Sequence, residues 1–259
     1  MGRVTANRLR WGALAWLLTL QFFVAETVAQ IRLGGGYSRA DDVISQLGAS
    51  TSPGAQLMNA SFVLQAALIL AGLLALRPLL RGTAGRSAVG LLGTAAVGTL
   101  LVGVFPLDGN LAVHRTGAGL YFVGGALGLI ALAYAVRRRS EILGSGLAFL
   151  GLVGAAGTVF FLTGVNSLLG DGGTERAAAY ALPLGLALAG AALWGLGADP
   201  AAEEERARVR AEREQARAEQ AERDRERDEA LEASVRRQAQ RATDGEDDVE
   251  DPWSTSVRD

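Results

Sequence analysis

The sequence predicts an all-α protein, in which a bundle of six transmembrane helices is followed by a charged cytoplasmic helix. Hydrophobic residues make up 49% of the 259-residue chain and charged residues 20%, a combination that is unusual for one soluble domain. The two classes are separated along the chain. Residues 1–198 contain 13 arginines and 7 acidic residues, whereas residues 199–259 contain 12 arginines and 20 acidic residues. The net charge of −2 is therefore a cancellation and indicates nothing about partners.

Six apolar stretches carry the fold prediction, because a helix needs about 20 apolar residues to cross a bilayer. They cover residues 11–29, 57–76, 87–105, 116–136, 142–163 and 177–197. The first could instead be a signal peptide, since Thr27-Val28-Ala29 resembles a cleavage site. We favour a retained span, because the stretch is long for a signal peptide and the arginines downstream are better explained if it stays.

The arginines of the short loops predict the orientation. Nine lie on one side of the predicted membrane and four on the other, the nine being Arg3, Arg8, Arg10, Arg77, Arg81, Arg86, Arg137, Arg138 and Arg139. By the positive-inside rule both termini are cytoplasmic. All 25 basic residues are arginine, which together with the alanine and glycine content suggests a GC-rich bacterial coding sequence. We therefore expect a multi-pass protein of the bacterial plasma membrane, surrounded by membrane lipids.

Residues 199–242 are predicted to form a charged cytoplasmic helix. Acidic and arginine side chains recur three or four residues apart, as in Glu232 and Arg236, which supports a solvated helix. A dimeric coiled coil would need large apolar residues at two positions of each heptad, and the segment has few. We favour a single helix, available to a protein partner, and its negative net charge argues against nucleic acid. The acidic segment 243–259 is predicted to be disordered.

The polar residues of the membrane region concentrate on the predicted outer side, in loops 30–56, 103–119 and 166–176. From these loops and the adjoining helix ends we select nine candidate ligand-binding residues: Glu26, Tyr37, Ser38, Asp41, Ser45, Asn59, Asp108, His114 and Arg115. Asp41 can alternatively be interpreted as the N-cap of a short helix that runs to Leu47. Asn59, with Ser61 and Gln65 further along the same span, can alternatively be explained by interhelical hydrogen bonds.

Glu26 and His114 are the most unusual of these residues. Glu26 lies about 22 Å beyond Trp11 along a helix that rises about 1.5 Å per residue, and an ionisable group at that depth requires a partner or a cavity. We expect the partner to be His114, Arg115 or Arg32, unless Glu26 simply reaches the interface. His114 is the only histidine and could act as a pH-sensitive group beside Asp108.

The sequence gives no support to a catalytic residue, a metal or a cofactor. There are no cysteines and one histidine, whereas hydrolytic zinc sites combine several such ligands. Neither Ser38 nor Ser45 lies in a nucleophile-elbow sequence. We therefore predict no catalytic residue, no metal and no cofactor.

Several short motifs carry a resemblance to a known family. They are Tyr37-Ser38, Ile44-Ser45-Gln46-Leu47-Gly48, Met58-Asn59-Ala60-Ser61-Phe62-Val63-Leu64, Gly103-Val104-Phe105-Pro106-Leu107-Asp108, and His114 with Gly117-Ala118. In these motifs the chain resembles the bacterial integral membrane protein family known as domain of unknown function 998, over about residues 10–198. The resemblance implies a six-helix integral membrane protein and brings no established activity with it.

The one-sided polar cluster favours a non-enzymatic membrane protein with an outward-facing polar pocket for a lipid headgroup or a small molecule. The alternative is a transporter, based on the intramembrane Glu26 and Gln65. A less favoured alternative is a lipid hydrolase at the outer interface, in which a serine or aspartate acts with His114. In a fourth interpretation, the membrane region only anchors the cytoplasmic helix as a scaffold.

Overall fold

A computed structural model describes residues 6–197 and 200–246. These residues form eight α-helices and no strand. The helices are α1 (Ala6–Leu17), α2 (Gln21–Leu33), α3 (Ala55–Leu76), α4 (Gly82–Val104), α5 (Leu111–Val136), α6 (Glu141–Thr163), α7 (Gly170–Gly197) and α8 (Pro200–Glu246). Three short 3-10 helices accompany them, at Leu18–Leu20, Ile44–Gly48 and Arg77–Leu79.

Six of the helical segments described are long and apolar enough to cross a membrane. They are Asn7–Leu33, Ala55–Leu79, Gly82–Val104, Leu111–Val136, Glu141–Thr163 and Gly170–Gly195. The first combines α1, α2 and the 3-10 turn between them. The predicted all-α, six-helix fold is therefore confirmed, while the orientation of the termini stays a prediction. The helix of the sixth span, α7, begins at Gly170, whereas the predicted span begins at residue 177.

The six segments form one bundle in which α5 contacts α4, α6 and α7, while α1 contacts α3 and α7. The approach of α4 to α5 depends on glycine. A Cβ atom at Gly98 would lie 2.5 Å from the carbonyl oxygen of Gly117 and 2.5 Å from the amide nitrogen of Tyr121. The backbones of the two helices are therefore in direct contact, as small residues allow in membrane bundles.

Pro183 lies inside α7, where its missing N–H leaves the carbonyl of Ala179 without its usual intrahelical donor. The Tyr121 hydroxyl donates to that carbonyl at 3.0 Å. The hydroxyl of Thr19, which donates to the Trp16 carbonyl at 2.6 Å, also lies 3.2 Å from the carbonyl oxygen of Pro183. Side chains of neighbouring segments thus satisfy the backbone groups around the proline, and the helix continues through it.

The chain divides into two units at residue 198, and the second contains α8. Three exposed ion pairs with a spacing of four residues lie along α8: Arg208 with Glu212, Glu219 with Arg223, and Glu232 with Arg236. Residues 243–246, the start of the segment that we predict to be disordered, form the end of α8. The remainder of that segment, 247–259, lies outside the described residues.

Candidate functional site

Glu26 forms a buried ion pair with Arg176. The Glu26 side chain has no exposed surface, and its Oε1 atom lies 2.9 Å from Nε of Arg176. The expectation that Glu26 pairs with His114, Arg115 or Arg32 is therefore wrong. It was wrong because Arg176, which the sequence places in a loop beside the last apolar stretch, lies in the second turn of α7 and points inward.

The other polar atoms of this ion pair also have partners. The Tyr180 hydroxyl donates to Glu26 Oε2 at 2.6 Å, and Arg39 Nη2 lies 3.6 Å from Glu26 Oε1. Arg176 Nη2 donates to the Tyr37 hydroxyl. We call these five residues, Glu26, Tyr37, Arg39, Arg176 and Tyr180, the Arg176 network.

The network fixes the loop between α2 and the Ile44–Gly48 helix against α7. Arg176 Nη1 donates to the carbonyls of Arg39 at 2.6 Å, Asp42 at 2.9 Å and Gly172 at 3.0 Å. Burial raises the pKa of Tyr37 although Arg176 acts in the opposite direction, so this loop hydroxyl stays protonated near neutral pH. With all three nitrogens of the Arg176 guanidinium donating, the network has the character of a structural clamp.

Ser38 and Asp41, two of the predicted binding residues, bond to each other within this loop. The Ser38 hydroxyl donates to Asp41 Oδ2 at 2.7 Å. The interpretation of Asp41 as a helix N-cap is wrong, since no side chain of the loop caps the Ile44–Gly48 helix. Instead, the amide of Ile44 donates to the carboxylate of Glu175 in α7, which sequence proximity could not reveal.

Asn59 and Asp108 hold the segment that follows. Asn59 Nδ2 donates to the carbonyl of Gly48 at 2.9 Å. Asp108 Oδ2 accepts from the Ser50 amide at 2.8 Å and also from the Ser50 hydroxyl. These bonds to Ser50 lower the pKa of Asp108. Both predicted site residues therefore connect the segment after the Ile44–Gly48 helix to the bundle.

Ser61 and Gln65 bond to Gln21 across the α2–α3 contact. The Ser61 hydroxyl donates to Gln21 Oε1 at 3.0 Å, and Gln21 Nε2 donates to Gln65 Oε1 at 3.2 Å. The interhelical interpretation of these two side chains is therefore correct.

His114 is buried at the start of α5, and its Nδ1 lies 2.8 Å from the carbonyl oxygen of Phe105. Because a carbonyl oxygen only accepts, this nitrogen carries the hydrogen, and in the neutral ring Nε2 is then an acceptor. Asp108, the expected carboxylate neighbour, binds Ser50 instead. The adjacent Arg115 is exposed and does not line the cavity described next.

A cavity of about 30 Å³ lies between α2, α3, α4, α5 and α7, beside the Ile44–Gly48 helix. Its volume is enough for one or two water-sized groups. It is lined by Phe22, Ile44, Ser45, Phe62, Thr99, Val102, His114, Ala118, Tyr121, Phe122, Glu175 and Ala179. We refer to it as the polar cavity, because a buried acid, an imidazole and two hydroxyls meet there within otherwise apolar walls.

Four polar groups on this lining have no hydrogen-bond partner among the residues that the structure describes. They are the hydroxyls of Ser45 and Thr99, Nε2 of His114 and Oε1 of Glu175. Their residues are 8%, 2%, 5% and 7% exposed. Among the described residues, the fully buried side-chain atoms without a partner are Gln65 Nε2 and Asn166 Oδ1, and neither residue lines this cavity. The four groups named here are less enclosed, and it is their convergence on one cavity that marks it as the candidate binding site.

Of the nine predicted binding residues, the structure brings only Ser45 and His114 to the polar cavity. Glu26 and Tyr37 belong to the Arg176 network, and the remaining five lie in loop contacts or at the surface. Sequence reasoning missed Glu175 and Thr99. The signal for Glu175 was an acid–arginine pair next to the last apolar stretch, which an earlier helix start would have placed inside the bundle.

The structure shows no group of three or more His, Cys, Asp or Glu side chains that could hold a metal ion within its described part. Residues 15–199 match the model of the family described as protein of unknown function (DUF998). The chain belongs to this family. The DUF998 region contains the polar cavity and the Arg176 network, and it ends at the boundary before α8. No curated protein and no solved structure matches the chain.

Proposed function

We propose that this DUF998 protein is a non-enzymatic, multi-pass membrane protein whose polar cavity opens toward the outer side and binds the ammonium group of a small molecule or lipid headgroup. The convergence of four unpartnered polar groups on one cavity carries the proposal. With the predicted orientation, the cavity lies in the outer half of the bundle, because it adjoins the loop between α4 and α5. The membrane in question is the bacterial plasma membrane.

The chemistry of the lining favours a cationic donor. Since Nδ1 of His114 faces a carbonyl oxygen, Nε2 is the ring nitrogen that can accept, and the free oxygen of Glu175 and the hydroxyls of Ser45 and Thr99 can accept as well. An ammonium group offers up to three N–H donors to such a set. It would also keep the Glu175 carboxyl ionised, because a nearby opposite charge favours the charged form.

The apolar walls support the same ligand. Phe22, Phe62, Tyr121 and Phe122 all line the cavity, and aromatic faces attract organic cations by about 0.5–2 kcal/mol, most strongly where water is excluded. An anionic ligand would be repelled by an ionised Glu175 carboxylate.

The test uses the full-length protein in detergent and follows its thermal unfolding with ethanolamine or with ethylene glycol, which is a neutral analogue of ethanolamine. The proposal expects an amine to raise the unfolding midpoint in a concentration-dependent way and ethylene glycol to leave it unchanged. A lipid source is separated by comparing nanodiscs of phosphatidylethanolamine with nanodiscs of phosphatidylglycerol. Stabilisation only in the former identifies the headgroup as the ligand.

Two variants make this test specific. Glu175→Gln retains an acceptor for the Ile44 amide but removes the charge, so the amine effect should disappear. Asp108→Asn changes a carboxylate outside the cavity, and its response should match that of the unmodified protein. An equal response of Glu175→Gln and the unmodified protein, or equal effects of ethanolamine and ethylene glycol, would rule the proposal out.

A lipid hydrolase is a second candidate, favoured by one observation. Ser45 and the acceptor nitrogen of His114 share the polar cavity, as a nucleophile and its base would. Labelling by a fluorophosphonate probe that disappears in both Ser45→Ala and His114→Ala would support this activity. Transport loses its main basis, since the intramembrane carboxylate of Glu26 is engaged in the Arg176 network.

A further inference from the structure

A groove lies between α5 and α6, at the end of these helices away from the polar cavity. Its volume is about 480 Å³, and it is lined by Ile130, Ala133, Tyr134, Arg137, Glu141, Gly144, Ser145, Ala148 and Leu152. The side chains of Tyr134 and Leu152 are 59% and 62% exposed. The α5–α6 groove is therefore open sideways, on the apolar surface that faces lipid.

The groove changes from polar to apolar along its length. Arg137, Glu141 and Ser145 line the part near the α5–α6 connection, whereas Ile130 and Leu152 line the opposite part. At about 1.5 Å per residue, Ile130 lies about 10 Å from Arg137 and Leu152 about 16 Å from Glu141 along their helices. This order matches a phospholipid, in which a polar headgroup is followed by an acyl chain.

Arg137 supplies the charge that selects the headgroup. Its guanidinium carbon lies 5.8 Å from the centroid of the Tyr134 ring, so the aromatic side chain positions it beside the groove. Within the described part of the chain it forms no ion pair with a carboxylate, and Arg138 and Arg139 follow it directly. One acid, Glu141, also lines the groove and balances Arg137 there, so the excess positive charge at this end comes from Arg138 and Arg139, which lie outside the lining.

We propose that the α5–α6 groove binds one phospholipid with an anionic headgroup, whose phosphate contacts Arg137 and whose acyl chain lies along Ile130 and Leu152. Arginine presents several N–H donors in a planar fork that suits phosphate oxygens. A soluble phosphate would not use the apolar part of the groove. Tyrosine at the boundary between headgroups and acyl chains is likewise typical of membrane interfaces.

The first experiment is native mass spectrometry of the full-length protein with phosphatidylglycerol and, separately, phosphatidylcholine. We expect one tightly bound phosphatidylglycerol per chain and weaker binding of phosphatidylcholine. Arg137→Gln removes a charge-assisted contact and should weaken the binding of phosphatidylglycerol about tenfold. Arg138→Gln is the matched control, since this arginine does not line the groove. The affinity of this variant for phosphatidylglycerol should stay within about twofold of that of the unmodified protein.

A second pair of variants tests the apolar part. Ser145→Phe fills the groove without changing charge and should also displace the lipid, whereas Leu162→Phe adds a ring at an exposed position elsewhere on α6 and should not. Equal losses in Arg137→Gln and Arg138→Gln would show non-specific attraction and overturn the proposal. Equal affinity for the two lipids, or full binding by Ser145→Phe, would also overturn it. Glu175→Gln should bind phosphatidylglycerol normally, which separates this proposal from the amine-binding one.

Discussion

Glu175 and Arg176 are neighbours in α7, but they belong to regions that treat buried polar groups in opposite ways. Arg176 donates to Glu26, to Tyr37 and to three backbone carbonyls. Glu175 uses one carboxylate oxygen for the Ile44 amide and directs the other toward a cavity that His114 also lines. The network satisfies its polar groups internally, whereas the polar cavity leaves acceptors available.

This difference shows why burial of a charge is a poor indicator of function by itself. Glu26 is the most deeply buried carboxylate of the membrane region and has the strongest claim to a functional role on sequence grounds. Its partners instead make it part of a clamp, because an ion pair removed from water requires compensating bonds on all sides. The better indicator is a set of polar groups with unmade bonds that converge on one cavity.

The largest expected effect comes from breaking the clamp. Arg176→Met leaves Glu26 without its buried counter-charge. It also leaves two loop carbonyls and the Gly172 carbonyl of α7 without this donor, and the change should cost about 3–5 kcal/mol in the free energy of unfolding. Denaturant titration of the purified protein in mild detergent measures this value. Arg115→Met is the control, since Arg115 is exposed, and it should change stability by less than about 0.5 kcal/mol.

A double substitution separates the ion pair from the rest of the clamp. Glu26→Gln combined with Arg176→Met should be less destabilising than the sum of the two single substitutions, because no uncompensated charge remains. If the two effects simply add, the ion pair contributes no coupling, and the contrast between the clamp and the polar cavity loses its basis.

The sequence predicts the fold well because a membrane-spanning helix must meet simple requirements of length and hydropathy. Length and hydropathy alone decide whether a helix can cross a bilayer, and the number of spans follows from them. The ends are less determined, since polar residues that enter a bundle, as at Gly170–Arg176, look like loop residues in a sequence. The first residues of α7 were therefore assigned to the outer loop 166–176.

The candidate site was predictable only in part, for a related reason. His114 and Ser45 were selected as rare polar residues near apolar segments, and both reach the polar cavity. Glu175 reaches the cavity from α7, 130 residues after Ser45 in the sequence. Thr99 resembles any threonine within an apolar span. Nothing in the order of the residues reveals that their side chains meet, because that depends on how closely α4 and α5 approach.

The next prediction concerns the approach of α4 to α5. Gly98→Ala would place a Cβ against the backbone of α5 at 2.5 Å, and separating the helices should destabilise the protein by about 1–3 kcal/mol. Gly119→Ala has nothing within 4 Å of the added atom and should be neutral or stabilising, since alanine favours helices. Thermal unfolding of both variants measures the difference. Equal effects would mean that the helices approach elsewhere.

A smaller effect on stability is expected from Glu175→Gln. Glutamine can still accept from the Ile44 amide and adds no charge that must be desolvated, so the free energy of unfolding should change by less than about 1 kcal/mol. The same denaturant titration compares it directly with Arg176→Met, its neighbour. A loss as large as that of Arg176→Met would show that both residues are structural, and the polar cavity would then no longer stand out as a site.

The smallest effect should appear at the loop held by Asp108, and it is a pH dependence. Because the Ser50 bonds lower the pKa of Asp108, they stabilise the loop above the ordinary carboxyl pKa of about 3.9 and are lost as the pH falls through the lowered value. Ser50→Ala should move this loss to higher pH. Hydrogen exchange of the amides of residues 49–52 and 54, followed across acidic pH, measures the shift. Ser38→Ala, which alters the other serine–aspartate bond of these loops, should leave the pH dependence of exchange unchanged. Identical curves for Ser50→Ala and the unmodified protein would show that Ser50 does not control the titration of Asp108.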